Sequence, residues 1–391
     1  MGTSKGLLIG ILLAAATFDS IVVPYLRISI ADCCLLIAVF VLGFHRSAVA
    51  NSALFFGAIV PVVLVSNAVI FLMYSSGSTA PPANMALLVS GFVRPFFFVF
   101  LAILFYGLMK QRGLERTDIA HSVRVGGCII SAVVALQYVG IFPPMYHNNP
   151  SFGEEGRFTI FSEGWRPTGL TNEASFVGIF LFLFFVAAIT FTKRDEKIGF
   201  ANGLANWLIF IGCLLSTSRL AVALAVIFFV MVRPTFSRLL SLGLAVPLLL
   251  LLVDVTRFEN MFAFEGDAST LERYGSVFAH FSALTDASSF FGTGYLNSTS
   301  LVTRHLDPLV LSVLGDRKLP SFSLPLQLMV EFGPFLFALM VFVSLVKYKE
   351  FLYDIRFIAV FAVSAVTGIQ NFVFVYIFVA LLIYEKNSRS T

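Results

Sequence analysis

Charge is what this chain has least of. Only 12% of its 391 residues are Asp, Glu, Lys or Arg, about half the share of an ordinary soluble domain. That shortage excludes one or two water-soluble globular domains. Cysteine is scarce as well. Cys33, Cys34, Cys128 and Cys213 all lie in apolar segments, which argues against a disulfide scaffold and against zinc. The five histidines are scattered without ligand spacing, so neither a metal nor a cofactor is expected. No internal repeat stands out, and the net charge of +4 comes from Lys and Arg spread along segment edges. That distribution says little for a nucleic-acid partner.

What fills the chain is apolar sequence, 58% of all residues. In lipid every backbone group must be paired internally, so runs of this length read as α-helices. The expected fold is all-α, a polytopic membrane protein with about eleven or twelve spans. The spans run from Leu7 to Val23, Ile30 to Leu42, Ser52 to Met73, Ala86 to Met109, Val125 to Ile141 and Glu173 to Phe191. They continue from Leu204 to Leu215, Arg219 to Val232, Leu239 to Val253 and Leu324 to Val346. A last region, Phe357 to Ile383, is broken at Thr367–Asn371 and reads as one tilted span or two short ones. The first stretch follows Lys5 and has no small-residue cleavage site after it, so it reads as a retained span. Three regions follow: spans over residues 1–253 with a motif loop at 142–172, an extracytoplasmic lid at 254–322, and C-terminal spans with a cytoplasmic tail at 323–391.

Basic residues sort onto alternate loops: Arg46, Lys110 to Arg124, Lys193 to Lys197, Arg233 and Arg238, and Lys347 to Arg356. Lys and Arg mark the cytoplasmic side. The expected placement is multi-pass in a membrane, with the N-terminus and, for an even span count, the C-terminus on the cytoplasmic side. The lid region is not low-complexity. Its aromatic content and the helical pattern from Ser269 to Leu284 predict an ordered, partly amphipathic segment, with a tight turn at Phe290–Gly294.

The polar residues on the outer side carry the chemistry. Arg166 opens the stretch Arg-Pro-Thr-Gly-Leu-Thr-Asn-Glu, and Glu173 closes it at the top of an apolar segment. Arg166 reads either as an interfacial arginine reaching water or as an anion clamp. Glu173 reads as an arginine's structural partner or a general base. Arg219 follows Ser216-Thr-Ser218 between two apolar runs, where arginine is costly and marks a wet or paired site. Ser218 and its neighbours can turn helix-terminal amides toward an anion. Arg273 beside Glu272 is either a surface ion pair or a third phosphate-binding fork. Arg304, His305 and Arg317 lie further along the lid. His305 carries the imidazole best placed for acid–base work, though a surface histidine reads as plausibly. Glu331, inside the span that starts at Leu324, either fixes packing or orients an arginine. Arg94, before Pro95, can point into the same outer cavity, and Gln137 and Tyr138 can hydrogen-bond a sugar.

Taken in order, these motifs resemble the O-antigen polymerase and O-antigen ligase-like family of bacterial membrane glycosyltransferases. Arg166 to Glu173 resembles that family's Arg…Gly…Asn/Glu signature, and Ser216-Thr-Ser-Arg219 its Ser-Arg signature at a helix junction. Glu272-Arg273-Tyr-Gly, Gly292-Thr-Gly294 and Gln327 to Gly333 follow in the family's order. The resemblance covers about residues 166–333 and implies a GT-C-like architecture. It implies an undecaprenyl-pyrophosphate-linked glycan as donor and another as acceptor. Arg166, Arg219 and then Arg273 would hold the leaving pyrophosphate without a metal. Chain-length regulator and flippase are the protein partners it implies. The ligases have a histidine just before the span after the long loop. Here Pro320-Ser-Phe-Ser-Leu stands there, which favours a polymerase over a ligase acting on lipid A-core or protein. A transporter with broken helices is the alternative from another class.

Overall fold

The computed structural model describes residues 2–18, 28–43, 85–142, 167–171, 174–191, 200–216, 218–232, 268–285, 292, 302–306, 308, 323–347, 349–367 and 372–390. At Arg94, Arg219 and Arg273 the backbone alone is described. The described residues are all-α: α1 (Gly2–Ala15), α2 (Ile30–Gly43), α3 (Met85–Arg112), α4 (Arg116–Tyr138), α5 (Ala174–Thr190) and α6 (Phe200–Leu215). These are followed by α7 (Arg219–Val232), α8 (Ala268–Leu284), α9 (Leu324–Lys347), α10 (Lys349–Leu352), α11 (Ile355–Val366) and α12 (Val373–Ser390).

The bundle is built around α5. Its sequence is apolar on every face, and a helix of that kind belongs inside. Every side chain from Val177 to Ala188 is buried. It packs on α4, α6, α7 and α11. Phenylalanines fill the space on two sides. Toward α12, Phe180 meets Phe374 at 4.7 Å between ring centroids and Phe184 meets the same ring at 5.1 Å. Toward α6 and α7, Phe185 meets Phe210 at 5.2 Å, and Phe210 stacks on Phe229 at 5.2 Å. Such tilted and offset pairs add to area burial, which gives a structural use to an unusually phenylalanine-rich sequence.

α1 lies against α4 through small residues. A Cβ on Gly10 would come within 2.7 Å of the Ser122 carbonyl, and one on Gly6 within 2.9 Å of the Asp118 carbonyl. This spacing of small residues lets two backbones approach closely. α12 packs on α3, and α2 on α3 as well.

The outward faces are apolar. Leu7 and Ile11 of α1, Ile37 and Val41 of α2, Leu204 and Ile211 of α6, and Ile358 and Phe361 of α11 are exposed. α9 is the extreme case, with Phe335, Leu339, Phe342 and Val346 all exposed. Two helices among the described residues are long and apolar enough to cross a membrane: α4, and the Leu324–Val343 part of α9. α9 is interrupted at Gly333, whose φ of 78° and ψ of 153° are not helical, with Pro334 next.

One end of the bundle gathers the charges. Arg356 forks onto Asp354, with Nε at 2.8 Å from Oδ1, and the same guanidinium reaches Glu385 at 3.1 Å. Arg116 lies 3.4 Å from Glu385. Glu385 is wholly buried and Arg356 nearly so. Lys5 donates to the Arg112 carbonyl and Arg116 to the Thr190 carbonyl at the same end.

Three expectations change here. The fifth apolar segment begins at Arg116, not Val125, so Arg124 is in a helix and not a loop. It is buried, donating to Asn206 at 3.2 Å and to the Ala188 carbonyl. The last region, open between one tilted span and two short ones, is two helices, and the second, α12, continues past the expected end at Ile383 to Ser390. The first helix ends at Ala15, well before Val23, and closes in a turn through Phe18.

The charge cluster predicts an acid limb of stability. Burial pushes the Asp354 carboxyl up, but hydrogen bonds and charge from Arg356 outweigh burial and hold it below the ordinary value. A lowered folded-state pKa means stability present at neutral pH and lost as pH falls through that lowered value. Thermal unfolding in detergent should therefore show acid destabilisation that Asp354→Asn flattens. Glu385→Ala removes the buried carboxylate that Arg116 and Arg356 share and should cost about 3–5 kcal/mol, as breaking a buried ion pair does.

Candidate functional site

At the opposite end from the charges, three segments meet: the loop 167–171, the first turns of α5, and the junction between α6 and α7. The loop is held by Gln137, the penultimate residue of α4. Its side-chain oxygen accepts from the Thr168 and Gly169 backbone N–H groups at 3.0 and 2.7 Å, and its amide nitrogen donates to the Gly169 carbonyl at 3.0 Å. Gln137, Thr168 and Thr171 have no exposure to solvent. Gly169 has φ of 61° and a Cβ there would collide with Val177, so glycine is required on both counts. Thr171 Oγ1 closes the turn by donating to the Thr168 carbonyl at 2.8 Å.

The junction is a helix stop and restart. Ser216 Oγ donates to the Cys213 carbonyl at 2.6 Å, finishing α6, and receives the Ser218 N–H at 3.4 Å. The Val222 N–H bonds the Ser218 carbonyl, so Ser218 stands at the cap position and Arg219 is the first residue of α7. Ser218 Oγ then reaches the Ser175 carbonyl in the first turn of α5 at 3.5 Å. Gly178 permits this: a Cβ there would lie 2.5 Å from both Ser216 Oγ and Ser218 Cβ. The starts of α5 and α7 are consequently neighbours. Both bring the positive pole of a helix dipole to this end of the bundle.

A second convergence lies at the start of α9. Gly292, with φ of 82°, fits against the Glu331 carbonyl and the Gly333 N–H at the break in α9, with no room for a Cβ. Glu331 is wholly buried, and Gln327 donates to it at 2.8 Å. α8 packs on α9, burying Ala279 and Ala283 in a small cluster with Val302, Leu306 and Val330. His280, buried in α8, bonds the Ser276 carbonyl at 2.6 Å.

The residues singled out from the sequence distribute as follows. Ser218 and the start of α7 at Arg219 meet the first turns of α5, on which the loop that Arg166 precedes also packs through Gly169 and Val177. Glu331 meets Gly292. Arg304 is exposed and His305 half-buried in the 302–306 turn, which packs with α8 and α9. Arg273 lies in α8 and Arg94 in α3, by backbone. Arg166, Glu173 and Arg317 lie outside the described residues. Gln137 is corrected: it is wholly buried and its amide binds protein backbone, so it positions the loop where a sugar contact was expected. Ser175 and Gly178 escaped sequence reading, since one serine and one glycine in an apolar run carry no signal of their own. Among the described residues no three His, Cys, Asp or Glu side chains gather in a metal-holding group. No protein-family model, curated protein or solved structure matches the chain.

Gln137→Ala should uncouple the loop. It leaves three buried backbone groups without this partner, each loss costing about 1–3 kcal/mol. Protease cleavage within residues 143–172 should speed up while cleavage elsewhere stays unchanged. Equal cleavage in both proteins would show that something else holds the loop.

Proposed function

We propose that the protein is a polytopic inner-membrane glycosyltransferase with a GT-C-like architecture. It joins undecaprenyl-pyrophosphate-linked oligosaccharide repeats into O-antigen, capsule or exopolysaccharide at the outer face. The membrane placement is supported by the apolar outward faces of α1, α2, α6, α9 and α11, the inverse of a soluble bundle. The gathering of Lys5, Arg112, Arg116 and Arg356 at one end supports its orientation.

The observation that carries the chemistry is Ser218 on Ser175. It sets the start of α7, with Arg219 as its first residue, beside the start of α5. An arginine at the positive pole of its own helix is unfavourable unless an anion is held there. Two adjacent helix starts and an arginine suit a pyrophosphate. In the transfer, the acceptor hydroxyl oxygen bonds the donor's anomeric carbon as the sugar–phosphate bond breaks. The pyrophosphate leaves with the bonding pair, and the hydroxyl proton goes to a base. Cationic donors placed at the leaving oxygens lower that barrier. Arg166, Arg219 and Arg273 are proposed for this role, Glu173 as an orienting acid, and His305 as a candidate base. Ser218, Arg94, Arg304, Arg317 and Glu331 are proposed for substrate binding.

The test is incubation of purified protein with lipid-pyrophosphate oligosaccharides. A ladder of lengthened, still lipid-linked glycans is expected. Transfer to lipid A-core would instead assign a ligase, and no product from any glycan lipid would favour a transporter.

A further inference from the structure

We infer that α8 lies within the outer leaflet of a phospholipid bilayer, with Phe278 and Phe281 set among the acyl chains. The inference rests on the membrane placement proposed above and not on the transferase chemistry. α8 uses one face for the protein: Ala279 and Ala283 are buried against the cluster that includes Val330 of α9. The other face carries Phe278 and Phe281, one helical turn apart, 68% and 54% exposed. Exposure that large on two phenylalanines is unfavourable in water.

Depth decides what covers them. The apolar stretch of α9 begins at Leu324 and spans 20 residues, about the number that crosses a bilayer's hydrocarbon. Val330, six residues in, stands about 9 Å below the outer end of that stretch. A helix that packs on Val330 sits at the depth of interfacial helices, about 5–10 Å into the headgroup and acyl boundary. Gly292, after α8, touches α9 at Glu331 and Gly333, deeper still. Past the break, Phe335, Leu339 and Phe342 of α9 are exposed as well. α8 thereby extends α9's apolar flank sideways at the outer boundary, and lipid is the surrounding that fits both.

The experiment places tryptophan on this face in a chain whose Trp165 and Trp207 are replaced by phenylalanine. Phe278→Trp and Phe281→Trp are reconstituted into vesicles of phosphatidylcholine brominated near the headgroup end of the acyl chains. Phe342→Trp on α9 is the lipid-facing control, and Thr303→Trp the control for the exposed turn. Bromine should remove more than about half the fluorescence at 278 and 281, and aqueous iodide should have little effect. Quenching at 278 and 281 by iodide but not by bromine would overturn the inference. So would protection from both, which means cover by protein or a second copy. If Phe342→Trp also escapes bromine, the membrane placement itself fails. Should the tryptophan-free background unfold, difference spectra of each variant against the native chain carry the same readings.

Discussion

Arg219→Ala is expected to slow glycan transfer by about two to three orders of magnitude, the usual loss when one preorganised donor to a developing anion is removed. The same change should leave the fold intact and slightly raise thermal stability. Arg219 begins α7, so its charge opposes the helix dipole, and its removal should return about 0.3–1 kcal/mol. Arg219→Lys keeps the charge but loses the planar fork that grips two phosphate oxygens, and should fall between the two. Single-turnover transfer with lipid-pyrophosphate oligosaccharide, read beside the melting temperature, checks both halves. Transfer within a few-fold of wild type would remove Arg219 from the site. A large fall in melting temperature would make it a structural arginine.

Gly178→Val should damage structure and activity together. The added Cβ would meet Ser216 Oγ and Ser218 Cβ at 2.5 Å and Ala221 Cβ at 2.9 Å. These are short, backbone-tethered groups that cannot swing aside. Overpacking of this kind costs about 1–3 kcal/mol. Relief requires α5 to move away from the start of α7, which breaks the Ser218–Ser175 contact. The expected result is a lower melting temperature and transfer reduced as far as in Arg219→Ala. Gly178→Ala, which lacks the branching methyls, should show the same direction at smaller size. Unchanged transfer in a destabilised Gly178→Val protein would separate the packing of these helices from the chemistry proposed for their ends.

The sequence shows some of this architecture directly and conceals the rest for physical reasons. The restart at Arg219 was legible because Ser-Thr-Ser-Arg interrupts an apolar run, and the helix there begins at that residue. The division of the final region was legible from Thr367 onward for the same reason. The start of α4 was not. A charge in a sequence reads as a boundary, and Arg124 is inside only because Asn206 and the Ala188 carbonyl come to meet it from α6 and α5. Glu385 was passed over likewise, since its partners Arg116 and Arg356 belong to other helices. Within the site, the motif loop drew attention, while the residue that fixes it was read as a sugar contact. Gln137 looks like a polar residue at a span's end until Thr168 and Gly169 are seen to bond it. Partner choice of this kind is a tertiary property that local patterning does not contain.

The enclosure of α5 has a consequence for how the chain is made. Phe180 packs on Phe374, and Phe184 on Phe374 and Phe378, rings that belong to α12. Until α12 is synthesised, one flank of the central helix has lipid or solvent where those rings belong. Contacts that bridge so much sequence form late and slowly. The nascent chain therefore waits with its middle open, and a ribosome stalled before Val373 leaves a protein whose centre is unfinished though most of its helices are present. Quality control that senses exposed apolar surface would find its signal at α5, far in sequence from the missing residues.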